Sequence, residues 1–379
     1  MRLAVITNDY PPKPGGIQQY VRSLVAHYPG DVLVLAAGDP SAREEAGVRR
    51  APWRFLWPTP SVRRWMEDAL GDFAPEMILF AAPTPLPCLG PALRRRLGAP
   101  YAVLTHGAEL AIPASLPVVR RLVLGPLARA DVVFANSKYT GRVVERWLRR
   151  PAHHLGAGVD ARAFHPMTAA RRARPVVGTV GRFVPRKRQV DAVAAVAELR
   201  GRGHDVELLV VGSGRLETML RRRAAAWAVP SRFEVDVPWD RLPDLYREMD
   251  VFALPCRSRW LGLEAEGLGL VFLEAAASGL PVVAGDSGGA PETVLPGVTG
   301  FVTRDRAELV DALEPLVADP VRAAAMGRRG RARVEAEFSW EGVVARLMAG
   351  FEEARRRLPR PGSRARGGAD APRADAATT

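Results

Sequence analysis

Cysteine is nearly absent: Cys88 and Cys256 are the only two in 379 residues, too few for a disulfide framework or a thiolate metal site. Both are expected to pack as small hydrophobes. Lysine is almost as scarce, with Lys13, Lys138 and Lys187 among 54 basic residues. No stretch is apolar enough to span a bilayer, since the longest uncharged run, Met77 to Leu93, is broken by four prolines. No charged segment followed by an apolar one opens the chain, which reads from Met1 straight into a strand. The expectation is a cytoplasmic protein, soluble or peripheral to a membrane. Asp-x-Asp, H-E-x-x-H and H-x-x-x-H do not occur, so no metal site is expected. Nor is there a G-K-[ST] phosphate loop or a G-x-G-x-x-G between first strand and first helix. Gly212-Ser-Gly214 lacks the third glycine and follows an internal strand, which disfavours a dehydrogenase.

What is present is positive charge, unevenly spread. The net +13 divides into +8 over residues 1–167, zero over 168–354 and +5 over 355–379. The first half and the tail are therefore where an anionic surface would be met. The neutral second half, with no recognisable binding motif, argues against nucleic acid as the partner.

Short apolar runs alternate with amphipathic stretches. Strands are expected at Leu3–Thr7, Val32–Ala36, Met77–Phe80, Tyr101–Thr105 and Val132–Ala135, then again at Val176–Gly181, Glu207–Val211, Val251–Leu254, Pro281–Ala284 and Gly300–Val302. This is βαβα twice: an α/β chain of two Rossmann-like, doubly wound sheets joined near 166–174, with a cleft where their strand ends face each other. The expected units are residues 1–167, residues 168–339, a helix over 340–358 and a disordered tail at 359–379.

Four segments at strand ends carry chemistry. Gly15-Gly16 precedes a helix and reads either as a tight turn or as a place where a phosphate or sugar approaches free N–H groups. Gly181-Arg182 through Lys187 puts two cations at a sheet's carboxyl edge, a pair suited to a diphosphate. In Glu266-Gly-Leu-Gly269-Leu270-Val271-Phe-Leu-Glu274, a helix from Leu270 aims its first N–H groups outward. Glu266 lies just before it and Glu274 one turn inside, where carboxylates can accept hydrogen bonds from paired sugar hydroxyls. Thr105-His106-Gly107 ends a strand, and His106 is expected to project into the cleft rather than the core. Ser287-Gly-Gly-Ala-Pro-Glu292-Thr reads equally as a cleft wall or a structural turn.

One basic, aromatic segment stands apart. Arg49, Arg50, Arg54, Arg63 and Arg64 alternate with Trp53, Phe55, Trp57 and Trp65. This reads either as a surface for lipid headgroups or as a strand (Trp53–Trp57) and amphipathic helix with tryptophans in the core.

The ordered set T-H-G, G-R-x-x-x-x-K and a Glu pair separated by seven residues, with the Gly-Gly loop, resembles the retaining GT-B glycosyltransferases of family four over roughly residues 1–350. N-D-Y-P-P-K-P-G-G-I-Q, L-P-C-R-S-R, E-G-L-G-L-V-F-L-E and S-G-G-A-P-E-T-V are similar to actinobacterial mannosyltransferases that build phosphatidylinositol mannosides. The resemblance implies a GDP-mannose donor, a glycolipid acceptor, an anionic inner membrane surface as partner and no metal or other cofactor. It implies donor contacts from Gly16, Arg182, Lys187, Glu266, Gly269, Leu270, Val271 and Glu274, with His106, Arg182, Lys187 and Glu266 at the reacting centre. It further implies same-face attack through a short-lived ion pair, a base held through backbone near Asp236–Pro238, and a C-terminal helix that crosses back to the first unit. Arg188 departs from the family, where glycine often follows the lysine. A transferase of this family using another nucleotide sugar or a soluble acceptor stays open, as does a nucleotide-sugar epimerase of like architecture.

Overall fold

The computed structural model describes residues 1–167 and 174–357, so the expected tail at 359–379 and the joining segment at 168–173 lie outside the described residues. Strands β1 (Leu3–Thr7), β2 (Val32–Ala36), β3 (Val48–Arg50), β4 (Met77–Phe80), β5 (Tyr101–Thr105), β6 (Val132–Ala135) and β7 (His153–His154) form one sheet. Their spatial order is β3-β2-β1-β4-β5-β6-β7. The second sheet contains β8 (Val176–Val180), β9 (Glu207–Val211), β10 (Ser231–Glu234), β11 (Val251–Leu254), β12 (Val282–Gly285) and β13 (Gly300–Thr303), ordered β10-β9-β8-β11-β12-β13. All pairings within both are parallel.

The central strands are apolar end to end because helices cover both faces: every residue of β1, β4, β5, β6, β8 and β11 is buried. The expected strands are found within a residue of their bounds. The three that periodicity passed over, β3, β7 and β10, all stand at sheet edges. Val48–Arg50, His153–His154 and Ser231–Glu234 are short and polar, as suits a strand with one side open to water.

Each sheet reverses winding at its first strand, between β1 and β4 and between β8 and β11. A ligand crevice belongs there, beyond the carboxyl ends. The loops leaving β1 and β8 are those carrying Gly15-Gly16 and Arg182–Lys187.

The Trp340–Arg356 helix packs on the first sheet's side of the molecule. Phe351 meets Phe134 of β6 edge-on at 5.6 Å between centroids, and Trp340 meets Tyr20 at 5.2 Å. Arg346 Nε donates to the Leu155 carbonyl at 2.8 Å.

Two expectations are corrected. Cys88 is exposed; only Cys256 is buried, and burial pushes its thiol up to about 12. Residues 53–57 form no strand: the segment is a loop pinned by Asn8, whose Oδ1 accepts from Leu56 N at 2.7 Å and whose Nδ2 donates to Leu56 O at 3.2 Å. Only Leu56 turns inward, leaving Trp53, Phe55 and Trp57 37%, 39% and 59% exposed.

Candidate active site between the two sheets

The loop after β8 ends in a tight turn at Pro185–Lys187, followed by Arg188 with φ 54°, in the left-handed region. That conformation disfavours any residue with a Cβ. Arg188 is held there by a two-pronged ion pair, Nε and Nη2 lying 2.7 and 2.8 Å from the Asp191 carboxylate. The turn drives Lys187 inward, where it is 6% exposed.

Lys187 Nζ lies 2.8 Å from Glu266 Oε2. Arg186 Nη1 reaches the same oxygen, and its Nε stands 4.0 Å from Glu264, which in turn pairs with Arg259 at 3.0 Å. Burial raises the Glu266 carboxyl, but Lys187 and Arg186 outweigh it and hold the group down at about 2. Two cations on one carboxylate leave an excess of positive charge at the carboxyl edge of β8, a centre able to accept an anion. Arg182 is exposed on the loop, outside this cluster. The cation brought beside Lys187 is therefore Arg186, its neighbour in sequence, and not Arg182 as expected.

Gly269 precedes the Leu270–Ala277 helix, which buries Phe272 and Leu273 and leaves Leu270 and Val271 half-buried at its first turn. Glu274 is buried within it. Tyr246 Oη donates to Glu274 Oε2 at 2.8 Å. Burial pushes the Glu274 carboxyl up to about 7 against the lowering effects of that bond and of Lys187. The two glutamates thus have opposite character: Glu266 is firmly ionised, while Glu274 titrates near neutrality. Nothing in the sequence marked Tyr246, a helix residue distant in the chain whose role follows from packing alone.

From the first sheet, Gly15 precedes the Gly16–Ala26 helix with φ 149°, a conformation open to glycine. Gly16 is exposed, and a Cβ there would meet nothing within 4 Å.

His106 does not project freely into the cleft, contrary to expectation: it is 6% exposed. Its Nε2 lies 2.9 Å from the Ala81 carbonyl and its Nδ1 3.5 Å from the Asn136 amide, with Tyr20 edge-on at 5.4 Å. A carbonyl only accepts, so Nε2 donates to Ala81. The ring is held in place at the carboxyl end of β5.

His106 and Glu266 are brought together by backbone. A Cβ on Gly267 would clash with the His106 carbonyl oxygen, so glycine is required for the two loops to touch. Ser137 Oγ, at the end of β6, donates to the Gly267 carbonyl at 2.7 Å. Gly289 N donates to the Glu266 carbonyl at 2.9 Å and Ser287 Oγ accepts from Glu266 N at 3.2 Å, so the Gly-rich turn after β12 braces Glu266.

The basic, aromatic segment forms a surface apart from this seam. Phe55 and Trp57 lie 4.7 Å apart, and Trp53 meets half-buried Trp65 at 6.5 Å. Arg54, Arg63 and Arg64 are exposed, Arg63 beside Glu67 at 3.4 Å. Arg50 is not part of this surface, since its Nη2 is bound to the Pro11 carbonyl. Among the described residues no helix is long and apolar enough to cross a membrane.

Residues 14–163 match the family described as Glycosyltransferase Family 4, and residues 161–333 the family described as Glycosyl transferases group 1. A GDP-mannose-dependent alpha-(1-6)-phosphatidylinositol monomannoside mannosyltransferase of Mycolicibacterium smegmatis is 38% identical, the match covering 93% of this chain and 100% of that protein. A GDP-mannose-dependent monoacylated alpha-(1-6)-phosphatidylinositol monomannoside mannosyltransferase of Corynebacterium glutamicum is 36% identical over 90% of this chain and 96% of its own. Among solved structures, a sucrose-phosphate synthase from Thermosynechococcus elongatus superposes with a TM-score of 0.77 at 22% identity, covering 93% of this chain and 98% of its own. Anabaena Alr3699/HepE, solved with UDP and glucose, does so with 0.76 at 18%, covering 93% and 99%. These two likenesses establish the architecture alone. With both halves matched in order and full-length relatives above a third identical, the chain belongs to the family 4, group 1 glycosyltransferases of GT-B fold.

Proposed function

We propose that the protein transfers mannose from GDP-mannose to a phosphatidylinositol-mannoside acceptor with retention of anomeric configuration. What carries this reading is full-length likeness to enzymes named for that reaction, combined with a buried Lys187–Arg186–Glu266 cluster at the winding reversal of the second sheet.

Donor diphosphate competes with Glu266 for Lys187 and Arg186, with Arg182 closing from the exposed side of the loop. Glu266, released in part, accepts hydrogen bonds from mannose hydroxyls, and Glu274 accepts from the ribose diol. The free N–H groups from Gly269 to Val271 and the open face of Gly16 receive the phosphates from opposite sides. His106 stands at the edge of the sugar position, its ring oriented by the Ala81 carbonyl.

The bond between the anomeric carbon and the β-phosphate oxygen breaks first, its electron pair leaving on GDP. The acceptor hydroxyl oxygen then bonds to the same face of that carbon and gives its proton to the departing phosphate. The protein's part is electrostatic: Lys187, Arg186 and Arg182 stabilise negative charge growing on the leaving group in a partly desolvated cleft.

Trp53, Phe55 and Trp57, together with the exposed Arg54, Arg63 and Arg64, bring the first domain to an anionic membrane holding the acceptor. The testing experiment gives purified enzyme radiolabelled GDP-mannose, UDP-glucose or UDP-N-acetylglucosamine with a lipid extract containing the monomannoside. Label is expected in the lipid phase from GDP-mannose alone. Equal transfer from a uridine donor, or none from GDP-mannose, refutes the assignment.

A further inference from the structure

The helix Lys138–Leu148 belongs to the first domain, yet half of its amino-terminal cap comes from the second. Lys138 N donates to Glu292 Oε2 at 2.8 Å and Tyr139 N to Glu292 Oε1 at 2.6 Å. The helix's own Ser137 supplies the rest, its Oγ accepting from Thr140 N at 3.0 Å. Glu292 sits on the turn Ala290–Thr293 after β12, and Arg333 Nη2 fixes that turn by donating to the Glu292 carbonyl at 3.0 Å. Tyr139 Oη adds a bond to the Gly262 carbonyl at 3.1 Å.

A carboxylate that takes two N–H groups at a positive helix end makes charge-assisted bonds of defined direction. It fixes both distance and rotation between the bodies it joins. The same helix end carries Ser137, which holds the Gly267 carbonyl immediately after Glu266. Glu292 therefore sets the register in which His106 on one domain meets Glu266 on the other.

We propose that Glu292 is a positioning residue: its carboxylate, caught by the Lys138 helix, latches the domains in the catalytic register without touching the donor. The inference rests on the transferase reading above for its kinetic test, and on scattering for a test independent of that reading. Glu292→Ala is expected to lower kcat about 10²-fold, the scale of a 1 Å misalignment. The donor KM should change little, because the donor's charged contacts lie on the second domain. Glu292→Gln, which keeps one accepting oxygen, is expected to fall between the two and serves if the alanine variant does not fold. In solution X-ray scattering of the unliganded protein, both variants should have a larger radius of gyration than the parent.

Unchanged kcat and scattering overturn the latch. So does a raised donor KM at unchanged kcat, which would place Glu292 in the donor site, or a lower melting temperature with full kcat per folded molecule, which would make it a structural cap only. If the parent enzyme itself transfers nothing from GDP-mannose, the functional reading fails and the scattering comparison still decides the latch.

Discussion

Lys187 Nζ and Glu266 Oε2 are 2.8 Å apart, so the lysine that turns inward after β8 and the carboxylate that precedes the Leu270 helix neutralise one another across the site. On the proposed mechanism, replacing Lys187 by alanine removes a stabiliser of the leaving group. Turnover with GDP-mannose is expected to drop about 10²-fold or more, by analogy with other donors to a developing oxyanion. Arg186→Ala should show a comparable loss, and Arg182→Ala a smaller one, since Arg182 starts outside the cluster. Initial-rate measurements on variants of verified fold check the order.

Glu266 and Glu274 should confer opposite pH dependence on the unliganded protein. Glu266 is held at about 2, below the ordinary 4.5, so its contribution is present above pH 4.5 and is lost as pH falls toward 2. Glu274 is raised to about 7, so the native state binds its proton more tightly and stability declines as pH rises from 4.5 through 7. Glu274→Gln is therefore expected to stabilise the unliganded protein at pH 8, by up to about 3 kcal/mol, and to matter little at pH 4.5. Glu266→Gln leaves Lys187 and Arg186 without their counter-charge and should cost about 3–5 kcal/mol at pH 7. Urea unfolding across this range distinguishes the two.

Arg188 combines an unfavourable backbone with a favourable ion pair, and two substitutions separate them. Arg188→Ala keeps the left-handed φ and loses the Asp191 contact, whereas Arg188→Gly loses the contact but relieves the strain. The glycine variant should be the more stable by about 1 kcal/mol. Equal denaturation midpoints would remove the argument.

Trp53→Ser combined with Trp57→Ser should weaken sedimentation with anionic vesicles by about tenfold or more, as loss of buried apolar area at an interface predicts. The thermal shift produced by GDP-mannose should be unchanged, since neither tryptophan lies at the donor seam. Binding unaffected by these changes would move membrane docking elsewhere.

The sheets were legible because central parallel strands are buried on both faces and must be apolar throughout. β3, β7 and β10 were not, because an edge strand needs only backbone partners on one side. Of the site, Lys187, Glu266 and Glu274 could be picked out from strand-end positions and from lysine's rarity in the chain. Arg186 could not: whether two adjacent cations face the same carboxylate depends on a turn whose geometry the residue types leave open. The enclosure of His106 was hidden for a related reason, as Ala81, Asn136 and Tyr20 come from three other parts of the chain.

The Trp340–Arg356 helix carries a consequence for biosynthesis. Tyr20 and Phe134 belong to the portion made first, yet the rings that cover them, Trp340 and Phe351, follow the whole second sheet in the chain. The amino-terminal half therefore emerges with an apolar seat still vacant, and completes its packing only after the second sheet has been made. A nascent chain stalled before Trp340 should be a chaperone client, however well its own sheet has already assembled.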